Sequence, residues 1–143
     1  MKPYLLDINV LLALAWPNHV HHRESLAWFT ARAARRFRTC PLTETGFVRI
    51  SSNPAFTASA VPPTQALGLL RQITALPGHA FWADDLPLAE VLSEDLLVGS
   101  HRHITDAYLL ALAAAHEGVL ATLDRGVAGL ARGCSEALEI VGA

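Results

Sequence analysis

The amino-acid sequence predicts an α/β fold in which a central, mostly parallel sheet carries helices on both faces. Short, continuous apolar runs alternate along the chain with longer segments of helical periodicity. Such runs are typical of strands buried on both faces, and their alternation with helices indicates a parallel sheet. No internal repeat or linker interrupts the 143-residue chain. We therefore expect one domain spanning residues 1–143, a usual domain size.

The first elements are predicted from apolar runs and proline. Residues 4–6 are an apolar run suited to a buried strand, and the apolar helix that follows, residues 8–16, ends before Pro17. Residues 20–36 are predicted to form a second helix. Its buried stripe would contain the residues that recur at helical spacing, namely His22, Leu26, Phe29 and Ala33.

Proline and asparagine delimit the middle elements. Residues 37–40 are a strand candidate, and Pro41 is well placed to open a helix that ends at about residue 52, before an Asn-Pro pair. A further helix begins at the proline pair 62–63 and ends at the Pro-Gly pair 77–78. Residues 80–82 are the third strand candidate.

The last third of the chain contains the most apolar predicted helix. Residues 104–116 are almost wholly apolar, which predicts burial on most sides, and Gly118 is its expected stop. The remaining predictions are a helix within 86–97, a polar loop at 99–103, a strand at 119–123, a short helix at 127–131 and a strand at 138–141.

Composition excludes several classes of protein. Hydrophobic residues make up 52% and charged residues 17% of the chain, so it is not disordered. No apolar run approaches the ~20 residues that a membrane-spanning helix needs. An acid, Asp7, stands where the apolar part of a secretory signal would continue, so we expect a cytoplasmic protein. Cys40 and Cys134 lack the spacing of a metal finger or a disulfide framework.

Four acidic residues stand at junctions between a predicted strand and the next helix. Asp7 and Asp124 follow strands, whereas Glu44 and Asp106 occupy the first turns of helices. In a parallel sheet these positions share the carboxyl edge, where open α/β sheets bind ligands. Clustered carboxylates raise one another's pKa and need a counter-ion. Oxygen ligands favour Mg²⁺ or Mn²⁺, and a pair of such ions commonly serves phosphodiester hydrolysis.

Each of these acids also has a purely structural explanation. An Asp after a strand is often an N-cap, and an acid in a first helical turn complements the helix dipole. The argument for a site rests on all four acids together. The net charge of −2 does not exclude nucleic acid, since without the four acids 9 acidic residues face 11 basic ones.

Four segments together resemble the motifs of PIN-domain ribonucleases in order and spacing, most of all those of the VapC toxins of toxin–antitoxin pairs. The segments are residues 5–14, 43–49, 104–113 and 121–126. The resemblance implies a metal-dependent endoribonuclease that cleaves structured RNA, forms a homodimer and is inhibited by a cognate antitoxin. It also implies that Asp7, Glu44, Asp106 and Asp124 are the metal ligands.

The resemblance also implies that Asn9 and Thr105 are polar neighbours of the metal site. Each could equally be a turn or helix-cap residue. Three further residues flank the acids and are candidates for contacts with RNA phosphates, with a solvated loop as the alternative: Arg102, His103 and Arg125.

Other classes of protein fit the sequence less well. A phosphoacceptor receiver domain would need a lysine near the acids, and Lys2 is the only lysine. Haloacid-dehalogenase-like phosphatases have a second aspartate where this chain has Asn9. A housekeeping PIN-domain nuclease and a non-catalytic binding module of the same fold remain alternatives.

Overall fold

The fold is a five-stranded parallel sheet surrounded by helices. The computed structural model describes residues 1–92, 100–131 and 133–142. Its strand order is β3-β2-β1-β4-β5, and every neighbouring pair is parallel. This confirms the predicted α/β fold. The strands are β1 (Tyr4–Leu6), β2 (Phe37–Thr39), β3 (His79–Phe81), β4 (Val119–Thr122) and β5 (Leu138–Ile140).

The helices follow the predicted order. The α-helices are α1 (Ile8–Ala15), α2 (His22–Trp28), α3 (Pro41–Ser51), α4 (Pro63–Thr74), α5 (Leu88–Val91) and α6 (Ile104–Ala115). One π-helical turn covers Phe29–Ala33, and short 3₁₀ segments cover His101–His103, Arg125–Leu130 and Ser135–Ala137.

Two apolar cores lie on opposite faces of the sheet, because successive strand side chains alternate between the faces. Leu6 and Phe37 pack with residues of α1, α3 and α4 on one face. Leu5 and Leu120 pack on the other face, against the buried residues of α6. Helices therefore cover both faces, as the sequence predicted.

The predicted helix at 20–36 is not uniform, and this expectation was wrong in detail. Helix α2 continues as a π-turn in which Ala34 N donates to Phe29 O at 2.8 Å. Its buried side begins at Ser25, which is fully buried, while Leu26 is 45% exposed. His22, Phe29 and Ala33 are partly or fully buried, as predicted. Ser25 takes the buried position expected for Leu26, because it lies four residues before Phe29 and so shares its face of the helix.

Helix α6 ends before Gly118, as expected, but the left-handed residue at its end is not the glycine. Glu117 has φ 55°, and Gly118 N donates to Ala113 O at 2.8 Å, the hydrogen bond of a Schellman motif. Gly118 is required for a close approach instead: a Cβ there would lie 2.8 Å from Pro3 O. Residues 107–110, 112 and 113 of α6 are buried, whereas its ends are exposed.

Smaller differences concern element type and bounds. The third strand begins one residue earlier than predicted, and the predicted helix at 127–131 is a 3₁₀ segment at Arg125–Leu130. Part of the predicted loop at 99–103 is also 3₁₀. Of the predicted helix within 86–97, the structure shows α5, and residues 93–99 lie outside the described part of the chain.

No helix in residues 1–92, 100–131 and 133–142 is both long and apolar enough to cross a membrane. Both cysteines are free. Cys40 is fully buried and packs as a small apolar side chain.

Candidate active site

Asp7 lies at the carboxyl end of β1 and is 5% exposed. Its Oδ1 accepts a hydrogen bond from Ile8 N at 2.7 Å and caps α1, while its Oδ2 accepts one from Thr122 Oγ1 at 2.7 Å. Burial, followed by the charges of Asp106 and Asp124, raises the pKa of Asp7 to about 6 despite these hydrogen bonds. Asp7 is thus a cap whose charge is costly in the absence of a counter-ion.

Thr122 connects three of the residues in this region. Its fully buried hydroxyl donates to Asp7, and it accepts hydrogen bonds from Asn9 Nδ2 and Asp124 N, each at 3.1 Å. Asn9 Oδ1 also accepts from Leu123 N at 3.1 Å. Asn9 therefore joins α1 to the end of β4 and is neither a turn nor a cap residue.

Sequence reasoning had missed Thr122. The available signal was a hydroxyl residue at the end of an otherwise apolar strand, two positions before Asp124. That signal did not show which side chain the hydroxyl would contact.

Asp106 and Asp124 stand beside Asp7 at the same edge. Asp106 occupies the first turn of α6, and its side chain is 18% exposed. Burial and then the charge of Asp124 raise the pKa of Asp106. Asp124 is exposed, and its Oδ1 accepts from Gly126 N at 2.8 Å, which caps the following 3₁₀ segment. The three aspartates form one electrostatically coupled group.

Glu44 follows the neighbouring strand β2, in the first turn of α3. Its Oε2 accepts a hydrogen bond from Thr39 Oγ1 at 2.6 Å, and its side chain is partly buried. The acids that raise the pKa of Asp7 are the other two aspartates. Helices α1 and α3 nevertheless pack closely, because a Cβ at Gly46 would overlap the Ile8 side chain.

The remaining candidate residues surround the aspartates. His103 Nδ1 lies 3.7 Å from Asp106 Oδ2, too far for a hydrogen bond. Thr105, Arg102 and Arg125 are exposed. Their positions are compatible with contacts to a bound substrate, and their roles stay predictions.

The donor atoms of the acids suit a divalent cation, although the side chains are not already arranged around one. In the described part of the chain, no group of three or more His, Cys, Asp or Glu side chains is arranged to hold a metal ion. However, the donors are carboxylate oxygens, which Mg²⁺ and Mn²⁺ prefer. Burial and mutual repulsion also disfavour the ionised acids, and a bound cation would relieve both.

Comparison with known proteins assigns the family. A sequence model of the PIN domain matches residues 4–133, which include all four acids. The chain belongs to the PIN-domain family. The strands that place the acids at one edge, β1, β2 and β4, lie within this PIN domain.

Several curated relatives of this PIN domain are similar over nearly their full length. Ribonuclease VapC39 of Mycobacterium tuberculosis is 46% identical over 125 residues, which cover 87% of this chain and 90% of the relative. Ribonuclease VapC38 of the same species is 46% identical over 129 residues, 90% of this chain and 89% of the relative. Ribonuclease VapC44 is 40% identical over 126 residues, 87% of each chain.

A solved structure shares the fold of this PIN domain. It is the crystal structure of VapBC2 from Rickettsia felis bound to a DNA fragment from their promoter. One of its chains matches with a TM-score of 0.60 and 11% identity, over 97% of this chain and 98% of that chain. At this identity the match shows a common fold.

Proposed function

We propose that this PIN domain is an endoribonuclease and the toxin of a toxin–antitoxin pair. The observation that carries the proposal is a buried Asp7 coupled to Asp106 and Asp124, in a chain 46% identical to Ribonuclease VapC39. Each relative described above is named a VapC ribonuclease and matches over nearly its whole length. These matches favour a toxin over the alternatives of a housekeeping nuclease and a non-catalytic module.

The acidic residues have a defined part in this proposal. Asp7, Glu44, Asp106 and Asp124 would hold Mg²⁺, or Mn²⁺ in its place, as a pair of ions in the active complex. The bound cation would lower the pKa of an attacking water and neutralise charge on the scissile phosphate. Thr122 would orient the Asp7 carboxylate through its hydrogen bond, and Asn9 would orient Thr122 in turn.

Basic residues would bind the RNA. Arg102 and Arg125 are exposed beside Asp106 and Asp124, so their guanidinium groups could pair with phosphates on either side of the cleaved bond. His103 would add a further donor. Alanine substitutions of the two arginines should weaken RNA binding and make it less dependent on salt, because fewer phosphate contacts release fewer counter-ions. A titration of binding against ionic strength would measure both effects.

The proposed partners follow from the same site. A cognate antitoxin that blocks an acidic crevice should present an arginine or lysine to it, because a cation can replace the metal electrostatically. A structure of the complex in which no antitoxin cation approaches Asp7 or Asp106 would contradict this. We also propose a homodimer, which light scattering would test, and action in the cytoplasm, where the RNA substrate is made.

The chemical test is the structure of the RNA ends. Attack by water on phosphorus, with the ribose 3′ oxygen as leaving group, gives a 5′-phosphate and a 3′-hydroxyl. We expect these ends when a structured RNA is cleaved in Mg²⁺ or Mn²⁺, and no cleavage in EDTA. The control is Asp106→Asn, which should leave the RNA intact. Cyclic 2′,3′-phosphate ends, or cleavage that persists in EDTA, would show that the acids are not the catalytic centre.

Metal binding should also appear as stabilisation. Because the cation binds the folded protein, Mg²⁺ or Mn²⁺ should raise the Tm of the wild type, by several degrees at saturating concentration. The rise should be much smaller in Asp7→Asn and Asp106→Asn. Glu136→Gln, an exposed acid just before β5, is the matched control and should respond like the wild type. Differential scanning fluorimetry measures these shifts in Tm. Equal shifts in all four proteins would exclude a shared metal site.

A further inference from the structure

The carboxylate of Glu44 is held by a buried threonine. Thr39 ends β2 and has no exposed surface. Its Oγ1 lies 2.6 Å from Glu44 Oε2 and 2.7 Å from His79 Nε2. One hydroxyl therefore bridges an acid on α3 and an imidazole on β3.

Counting protons gives these two hydrogen bonds a direction. An ionised carboxylate can only accept, so the single hydroxyl proton of Thr39 must point to Glu44. The lone pairs of Thr39 Oγ1 then face His79 Nε2, which donates in the tautomer that carries a proton on this nitrogen. In that tautomer the chain of donors runs from His79 to Thr39 to Glu44.

The imidazole at the start of this chain is well fixed. His79 is the first residue of the edge strand β3, in register with Phe37 of β2. Its ring centroid lies 5.4 Å from that of the fully buried Phe37, and its backbone N donates to Leu76 O at 3.0 Å. The residue is partly buried. The edge strand thus holds the imidazole within hydrogen-bond distance of Thr39.

The arrangement repeats the one at Asp7. There a buried threonine at the end of β4, Thr122, donates to a carboxylate at the same edge of the sheet. Both threonines are the last residues of their strands. Each threonine hydrogen-bonds to one carboxylate oxygen of its acid. The second oxygen of that acid does not contact the threonine.

We propose that Thr39 and His79 are positioning residues for Glu44, which hold its carboxylate in the orientation that the metal-dependent reaction needs. The proposal rests on the proposed function, because it concerns the same site. Removing a residue that hydrogen-bonds to a metal ligand and orients it typically lowers metal affinity or activity by about 10- to 100-fold. Neither residue contacts RNA or metal in this scheme; both act through Glu44.

Two matched pairs of variants test the proposal. Thr39→Val removes the hydroxyl at constant shape, while Thr39→Ser keeps it. His79→Phe removes the donor, while His79→Gln keeps an amide donor near the position of Nε2. We expect Thr39→Val and His79→Phe to lose about 10- to 100-fold in RNA cleavage and in Mn²⁺ affinity measured by electron paramagnetic resonance. The Ser and Gln variants should stay within about 3-fold of the wild type, since the hydrogen bonds are preserved.

A double-mutant cycle separates positioning from general damage to the fold. If Thr39 acts through Glu44, adding Thr39→Val to Glu44→Gln should cause little further loss of cleavage or Mn²⁺ affinity. An equal additional loss in both backgrounds would overturn the proposal. Should Thr39→Val fail to fold, the His79 pair answers the same question, because His79 is nearer the surface.

Crystal structures of the wild type and Thr39→Val give an outcome that does not depend on activity. We expect the Glu44 side chain to leave its orientation in the variant. An unchanged Glu44 would overturn the positioning role, whatever the activity. If instead the wild type neither binds Mn²⁺ nor cleaves RNA, the proposed function fails, while the Glu44 orientation still decides whether Thr39 positions it.

Discussion

Replacing Asp7 with asparagine is expected to reduce RNA cleavage by at least about 100-fold and, at the same time, to stabilise the metal-free protein. Asparagine keeps a side-chain oxygen that can cap α1 but removes the negative charge that would hold the cation. The same charge is costly when no cation is bound, because burial removes its solvation and because two further aspartates lie nearby. The two effects should therefore have opposite signs.

The stability effect has a defined pH range. Burial raises the pKa of Asp7 from 3.8 to about 6 in the folded protein. An acid with a raised folded-state pKa stabilises the fold below its unfolded pKa, and this contribution is lost as the pH rises through the folded-state value. Between pH ~4 and ~6 the metal-free wild type should therefore lose roughly 1–3 kcal/mol relative to Asp7→Asn, and keep this deficit at higher pH.

Urea denaturation of metal-free protein at about pH 4 and pH 7.5, with RNA cleavage measured in parallel, checks both effects. Glu136→Gln is again the control, since this exposed acid precedes the amino end of β5, opposite the site edge. Normal cleavage by Asp7→Asn would remove Asp7 from the site. A variant less stable than the wild type at the higher pH would contradict the cost assigned to its buried charge.

Substituting Gly78 by alanine is expected to destabilise the protein by about 2–4 kcal/mol, because the new methyl group cannot be accommodated. Its Cβ would overlap the carbonyl oxygen of Ala34 and lie 2.8 Å from the carbonyl carbon of Arg35. Both obstacles are backbone atoms, which cannot turn aside as a side chain can. Gly78 O also accepts a hydrogen bond from Phe37 N at 3.0 Å, so the displacement would disturb the start of β2.

Gly68→Ala is the matched control for this substitution. Gly68 lies within α4, and a Cβ there would meet no atom within 4 Å. Alanine should therefore stabilise the helix by about 0.5–1 kcal/mol. The urea midpoint of each variant, at constant m-value, measures its change in stability. Midpoints that move in the same direction would show that the close approach at Gly78 does not limit stability.

The sequence alone determined the order of the elements and the edge at which the acids lie. Both depend on local information: the length and periodicity of apolar runs, and the position of each acid between a strand and a helix. Parallel connectivity then places Asp7, Glu44, Asp106 and Asp124 at the carboxyl edge without knowledge of any long-range contact. Their roles as metal ligands and the single domain over 1–143 stay predictions.

Local patterns were less reliable where hydrogen bonding departed from the regular period. Helix α2 continues as a π-turn, and the left-handed residue after α6 is Glu117. In both places one hydrogen bond of unusual span decides the geometry. The amino-acid preferences of the segment do not specify that bond.

Only the tertiary structure decided how the carboxylates are held and how much their charges cost. Thr122 lies 115 positions from Asp7, and His79 lies 40 positions from Thr39, yet each pair shares a hydrogen bond. The partner of a buried hydroxyl depends on which strands become neighbours, and strand order β3-β2-β1-β4-β5 brings these segments together. The raised pKa of Asp7 has the same origin, because desolvation is a property of the surrounding packed chain and not of the residue itself.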